Sequence, residues 1–145
     1  MLDGWDTSRL RLHMKTHRVL LADDHLAVLE CVRDLLRSAF EVVGTVCNGQ
    51  EMISEALRLN PDVIVADVGM PGLSGIEAAL QLREQGSTAK VVFLTIHSEP
   101  EFVKACLDAG ALGYVVKVRL QLDLIPAIDA ALLGRHFISL RANSH

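Results

Sequence analysis

Polar side chains end four short apolar runs of this sequence. Asp23 and Asp24 follow the first run, and Asp67, Thr95 and Lys117 each end a later one. Taken singly, each could simply cap a helix, open a turn or lie at the edge of a sheet. Three carboxylates held close together would repel one another unless a cation bound there, and oxygen ligands of this kind suit Mg²⁺. A lysine and a hydroxyl nearby would supply the positive charge and the hydrogen-bond donor that a phosphoryl group needs.

The elements that would position these side chains alternate between strand and helix. From residue 18 on, short apolar runs alternate with longer amphipathic ones, and Asp, Asn, Gly and Pro lie between them. The apolar runs predict five strands, at residues 19–22, 41–46, 63–67, 90–95 and 113–117. Helices are predicted over 25–38, 48–59, 76–85 and 100–110, and from a cap at Asp123 to residue 134.

Strands that are apolar almost throughout require a sheet that is covered on both faces. We therefore predict an α/β fold, a flavodoxin-like, doubly wound parallel sheet of five strands in the order 2-1-3-4-5. In that order the carboxyl ends of strands one and three lie together at the topological switch point, where such sheets bind ligands. The acidic residues described above are expected to meet at this point.

Composition and charge exclude several classes of protein. The chain has 145 residues, 50% of them hydrophobic, which fits one globular domain. Its 18 acidic and 14 basic residues give a net charge of -4, which argues against nucleic-acid binding as its main role. No apolar run approaches the roughly 18 to 20 residues that a membrane helix needs. Three widely spaced cysteines predict neither a disulfide framework nor a zinc site, and they favour a cytoplasmic location.

The residues at the strand ends resemble the receiver domain of two-component response regulators. The motifs that carry the resemblance are Asp23-Asp24, Pro61 to Asp67, Met70-Pro71-Gly72 with Gly75, Leu94-Thr95 and Gly113 to Lys117. Together they cover the chain from about residue 18 to residue 133. Residues 95–97 and 110–114 are more particularly similar to the NarL/FixJ branch, whose receivers usually precede a LuxR-type helix-turn-helix.

The resemblance implies a role for each polar residue. Asp67 would be the phosphoacceptor, Asp24 would bind Mg²⁺ directly, and Asp23 would bind it through water. The backbone carbonyl of Gly69 would complete the protein's share of the metal ligands. The resemblance further implies that phosphoryl oxygens are bound by two residues, Thr95 and Lys117. An aromatic residue would change rotamer when the threonine moves, and that residue is Tyr114.

The resemblance implies a regulatory phosphoacceptor domain and not an enzyme. Its chemistry would be at most its own phosphorylation and dephosphorylation. A sensor histidine kinase would supply the phosphoryl group to Asp67, and the surface of the fourth helix, fifth strand and fifth helix would change a protein contact. That contact could be a homodimer or a transcription output domain, and this chain itself is not expected to touch DNA or a membrane. Residues 1–17 are expected to be a flexible extension, 18–134 the receiver, and 135–145 a tail or the start of a linker.

Three other classes fit the residues less well. A hydrolase of the haloacid-dehalogenase type would need a second Asp two residues after its nucleophile, where Gly69 stands. A degenerate receiver that only docks with partners would not need the complete set of polar residues. A flavin-binding protein with this strand order would have its phosphate repelled by the acidic switch point. Of the remaining candidates, His25 and His97 are expected to be solvated or capping residues and Cys106 a packing residue.

Overall fold

The computed structural model describes residues 16–139, in which strands and helices alternate along the chain. The strands are β1 (Arg18–Ala22), β2 (Glu41–Val46), β3 (Val63–Asp67), β4 (Lys90–Thr95), β5 (Gly113–Val116) and β6 (Phe137–Ile138). The helices are α1 (Leu26–Leu36), α2 (Gly49–Leu59), α3 (Gly75–Glu84), α4 (Pro100–Asp108) and α5 (Leu120–Leu132). All but the last two residues of the predicted flexible extension lie outside the described residues.

The strands form one parallel sheet in the order β2-β1-β3-β4-β5-β6. The predicted fold class and the predicted order of the first five strands are thereby confirmed. The sixth strand was not predicted: Phe137 pairs with Gly113, and Ile138 pairs with Tyr114. It lies in the stretch 135–145 that the sequence indicated as a tail or linker. The predicted division of the chain into 1–17, 18–134 and 135–145 stays a prediction.

Side chains of each central strand alternate between two apolar layers. Leu20 and Ile64 pack with α2, α3 and α4 on one face, and Leu21 and Val65 pack with α1 and α5 on the other. All four are almost completely buried, and burial of such a side chain is worth about 1.5 to 3 kcal/mol. Both faces are therefore covered, and the edge at the carboxyl ends of the strands holds the polar side chains.

Several element boundaries differ from the predicted ones. The first helix begins at Leu26 and ends at Leu36, so it is shorter than predicted. The last helix begins at Leu120 after Arg119, which places Asp123 inside its first turn and not at the predicted cap. Strand β5 ends at Val116, and a short 3₁₀ turn over Lys117–Arg119 follows it. Within residues 16–139 no helix has the length and apolar character needed to cross a bilayer.

Candidate functional site

The carboxyl ends of β1 and β3 bring three carboxylates together. Ala22 pairs with Ala66 in these adjacent strands, so the residues that follow, Asp23 and Asp67, lie at the same edge of the sheet. Carboxylate oxygens of Asp23, Asp24 and Asp67 lie within 4.8 Å of one another and of a ring nitrogen of His25. Because Asp23 and Asp67 are both buried, water can only partly screen their mutual repulsion. The structure thus assembles the acidic cluster at the switch point.

Lys117 supplies a positive charge inside this cluster. Its Nζ atom lies 3.0 Å from Oδ2 of Asp23 and 3.5 Å from Oδ2 of Asp67. Only 16% of the Lys117 side chain is exposed. The buried Oδ2 of Asp23 accepts no well-directed hydrogen bond, so its contact with the lysine is mainly electrostatic. One ammonium therefore balances only part of the negative charge of the three carboxylates.

His25 is a member of the cluster that the sequence reasoning did not assign to it. Its Nδ1 atom lies 3.1 Å from Oδ1 of Asp23 and 3.2 Å from Oδ1 of Asp24. Its backbone N–H also donates to Oδ1 of Asp23 at 2.9 Å. The ring is 64% exposed, as a solvated histidine would be, but it contacts both carboxylates. The signal available in the sequence was its position directly after the two aspartates.

Thr95 and Tyr114 are both tied to the backbone of His97. The hydroxyl of Thr95 accepts a hydrogen bond from the N–H of His97 at 3.0 Å, and the hydroxyl of Tyr114 donates to the His97 carbonyl at 2.6 Å. Both side chains are buried. Burial raises the pKa of Tyr114 to about 12, so its hydroxyl stays a donor. The ring of His97 stacks on Phe102 of α4 with centroids 4.1 Å apart. The residues that follow β4 are thereby packed against α4.

The connection from β3 to α3 packs tightly against the phosphoacceptor candidate. The N–H of Gly69 donates to Oδ1 of Asp67 at 3.3 Å, and the N–H of Gly75 donates to the carbonyl of Val68 at 2.9 Å. A Cβ atom on Gly75 would lie 2.2 Å from the carbonyl oxygen of Asp67, so only glycine fits there. Ser74 caps α3 in a reciprocal pair of hydrogen bonds with Glu77. This connection therefore fixes the backbone of Asp67.

The electrostatics of the site make it receptive to a cation. Burial raises the pKa of Asp67, and the charge of Asp23 raises it further, while Lys117 and the Gly69 N–H oppose the shift. The ligand atoms that converge are carboxylate oxygens, and one of them, Oδ2 of Asp23, accepts no well-directed hydrogen bond. These features fit a small divalent cation with oxygen ligands. Asp23, Asp24 and Asp67 are the residues that could hold it.

Fold and site together define the receiver class of signalling domain. A doubly wound parallel sheet carries an acidic cluster at its switch point, with a lysine after β5 and a buried threonine at the end of β4. Residues 19–129 match the family model described as "Response regulator receiver domain". The chain belongs to this family, whose members are phosphoacceptor switches of two-component systems. The resemblance found in the sequence is confirmed.

Similar proteins place the chain near the NarL/LuxR type of receiver. Response regulator GacA of Pseudomonas viridiflava is 36% identical over 124 residues, which are 84% of this chain and 58% of that protein. The nitrate/nitrite response regulator protein NarL of Escherichia coli K12 is 35% identical over 123 residues, 83% of this chain and 57% of that protein. A crystal structure of a LuxR-family two-component response regulator from Aurantimonas sp. SI85-9A1 superimposes with a TM-score of 0.80 at 34% identity, covering 86% of this chain and 90% of that one. The chain spans a little more than half the length of the two curated relatives.

Proposed function

We propose that Asp67 is the residue of this switch that accepts the phosphoryl group. The observation that carries the proposal is the position of its buried carboxylate, 3.5 Å from the Lys117 ammonium and within the acidic cluster. In the reaction an Asp67 carboxylate oxygen forms a bond to phosphorus. The bond between phosphorus and an imidazole nitrogen of the histidine kinase breaks, and that nitrogen keeps the electron pair and takes up a proton. An acyl phosphate and a neutral histidine result.

The cation that we propose for the acidic cluster is Mg²⁺. Asp23, Asp24 and Asp67 would hold it, and the resemblance adds the backbone carbonyl of Gly69 to these ligands. When bound, Mg²⁺ supplies positive charge that neutralises the carboxylates and the phosphoryl oxygens. The site offers few protein ligands and is open on the side of Asp24, whose side chain is 29% exposed. Such a site is expected to bind Mg²⁺ with modest affinity.

Lys117 and Thr95 would then bind the phosphoryl oxygens. The lysine already faces Asp67, so it needs only to exchange a carboxylate oxygen for a phosphoryl oxygen. The Thr95 hydroxyl now accepts a hydrogen bond from the His97 N–H, and its own proton can be donated to the phosphoryl group. Movement of Thr95 would change the packing around Tyr114, because both hydroxyls are hydrogen-bonded to the backbone of His97. The signal would be a population shift between two packings of this face.

The partners that we propose are a sensor histidine kinase and, after phosphorylation, a second copy of the chain or an output domain. In the 3₁₀ turn between β5 and α5, Val118 is 83% exposed and offers an apolar contact. Lys104 is exposed but paired with Asp108 at 2.9 Å, and Arg119 is bound to Asp123. The curated relatives are response regulators and transcriptional regulators, which supports regulation of transcription as the output.

A cytoplasmic setting is part of the same proposal. Cys31, Cys47 and Cys106 are all free thiols. Cys106 is buried, and burial raises its pKa to about 12, so it packs as an apolar residue and is unreactive. Free thiols are compatible with the reducing compartment in which two-component receivers act.

Phosphorylation by acetyl phosphate in the presence of Mg²⁺ tests the proposed function. Incorporation is followed by intact-protein mass spectrometry for the wild type, Asp67→Asn, Lys117→Ala and the surface control Asp34→Asn. We expect one phosphoryl group on the wild type and the control, none on Asp67→Asn, and slow incorporation on Lys117→Ala. Phosphorylation of Asp67→Asn at the wild-type rate would contradict the assignment. Asp34 is a suitable control because it carries the same charge and its side chain is 73% exposed on α1.

A further inference from the structure

Ser139, directly after β6, makes three hydrogen bonds that tie this end of the chain to β5 and α5. Its hydroxyl donates to Oδ2 of Asp123 at 2.7 Å and accepts from the N–H of Val116 at 3.2 Å. Its backbone N–H donates to the carbonyl of Tyr114 at 2.8 Å. Ser139 is buried, so these bonds are shielded from water. Gly113 and Tyr114 of β5 pair with β6, and the Ser139 hydroxyl accepts from the N–H of Val116, the last residue of β5.

Asp123 links Ser139 to the turn that carries the site lysine. Arg119 donates to both carboxylate oxygens of Asp123, from Nε at 2.7 Å and from a terminal nitrogen at 3.2 Å. Asp123 is buried, and its pKa is lowered chiefly by Arg119 and also by Ser139. The carboxylate is therefore ionised and holds both partners with charge-assisted hydrogen bonds.

These bonds hold the chain on both sides of Lys117, at a backbone N–H before it and at a side chain after it. Val116 precedes the lysine and is held by Ser139, while Arg119 follows it by two residues and is held by Asp123. The lysine side chain is long and flexible, so the position of its ammonium depends on where its Cα atom is fixed. A buried serine and carboxylate are costly to desolvate unless fully paired, and a purely apolar contact could attach β6 equally well.

We propose that Ser139 and Asp123 are positioning residues that hold Lys117 against the phosphoacceptor carboxylate. The inference rests on the proposed role of Lys117 in binding the phosphoryl group. The fit of β6 against β5 then sets the rate at which Asp67 is phosphorylated. The segment after α5 is in this way connected to the site through one hydroxyl and one carboxylate.

A double-mutant cycle in the full chain tests this connection. The rate of phosphorylation by acetyl phosphate with Mg²⁺ is measured for the wild type, Ser139→Ala, Lys117→Ala and the double variant. Ser139→Ala is expected to slow the reaction roughly three- to tenfold, the range that one or two hydrogen bonds are worth. In the Lys117→Ala background the same change is expected to have no further effect, because the residue that it positions is absent.

Two further variants separate positioning from a general loss of structure. Ser139→Thr keeps the hydroxyl and is expected to restore most of the wild-type rate, and Ser54→Ala on the exposed face of α2 is the matched control. Far-UV circular dichroism and urea unfolding verify that each variant is folded at the assay temperature. The wild-type rate for Ser139→Ala, or an equal slowing in both backgrounds, would overturn the inference while leaving the proposed function intact. Equal rates for Lys117→Ala and the wild type would overturn the role of the lysine, and the inference with it.

Discussion

The substitution Asp67→Asn is expected to make the protein more stable in the absence of Mg²⁺, although it removes the proposed phosphoacceptor. Burial and the Asp23 charge both raise the pKa of Asp67, which means that the fold disfavours its ionised form. Asparagine has nearly the same shape and keeps an oxygen that can accept from the Gly69 N–H, now 3.3 Å from Oδ1.

The distances in the cluster give the size of this effect. Two like charges 4.8 Å apart, the largest separation in the cluster, repel by about 3.5 kcal/mol at an effective dielectric constant near 20. Asp67 is repelled in this way by Asp23 and, with more screening, by Asp24. At the same dielectric constant, the Lys117 ammonium, 3.5 Å away, stabilises the Asp67 charge by about 4.7 kcal/mol. These opposing charge interactions nearly cancel, so the gain on removing the Asp67 charge comes mainly from the burial of its carboxylate, the largest cause of its raised pKa, and is expected to be about 1 to 2 kcal/mol.

Urea unfolding at pH 7 in a metal chelator measures this gain. Asp67→Asn is expected to unfold at a higher urea concentration than the wild type, with an unchanged slope. The exposed control Asp34→Asn is expected to lie within about 0.5 kcal/mol of the wild type. A lower stability of Asp67→Asn in the chelator would refute the reasoning, because it would show that the Asp67 charge is stabilised by its surroundings.

The difference in stability between Asp67→Asn and the wild type is expected to depend on pH and on Mg²⁺. Because the pKa of Asp67 is raised in the folded state, the native wild type binds the proton before the unfolded chain does. Its destabilising charge is therefore removed as the pH falls through the folded pKa, and the advantage of Asp67→Asn is expected to vanish below the unfolded value of about 3.9. Saturating Mg²⁺ is expected to reverse the order, since a cation at 100 times its Kd adds about 2.7 kcal/mol to the form that binds it.

Three other changes follow from the contacts of the site. Gly75→Ala would place a Cβ atom 2.2 Å from the Asp67 carbonyl oxygen, so it is expected to lower the free energy of unfolding in urea by about 1 to 3 kcal/mol. Gly69→Ala is the control: no atom lies within 4 Å of its new Cβ, and its stability is expected to be nearly unchanged. Tyr114→Phe loses the 2.6 Å hydrogen bond to the His97 carbonyl, which is expected to cost about 1 kcal/mol and to leave phosphorylation of Asp67 unchanged. Beryllofluoride with Mg²⁺ is expected to shift the chain from monomer toward dimer in sedimentation by a coupling of about 1 to 3 kcal/mol, and an unchanged mass would assign the signal to a heterologous partner.

The assembly of the acidic site could be predicted because it depends on topology more than on side-chain detail. Buried apolar runs such as Val63–Asp67 specify parallel strands, and the strand order places their carboxyl ends at one edge. Residue type and position then suffice to bring Asp23 and Asp67 together with Lys117. The distances within the cluster, and the sharing of one ammonium by two carboxylates, depend on rotamers that no spacing rule gives.

Other features were missed for specific physical reasons. Strand β6 has two residues and is half exposed, so it carries neither the length nor the alternation that predicts a strand. Asp123 looked like a helix cap because it precedes an apolar helical stretch, but α5 begins three residues earlier and its carboxylate pairs with Arg119. Ser139 is sixteen residues from Asp123, and their hydrogen bond becomes visible only when the chain is folded.

Direct mapping of the phosphorylated residue tests the central claim. After incubation with acetyl phosphate and Mg²⁺, borohydride reduces an aspartyl phosphate to homoserine, which peptide mass spectrometry locates in the sequence. We predict homoserine at position 67 alone, its absence when Mg²⁺ is removed by chelation, and its absence in Asp67→Asn. Homoserine at Asp23 or Asp24 with Asp67 unmodified, or a phosphoryl group on a residue outside the cluster, would contradict the account.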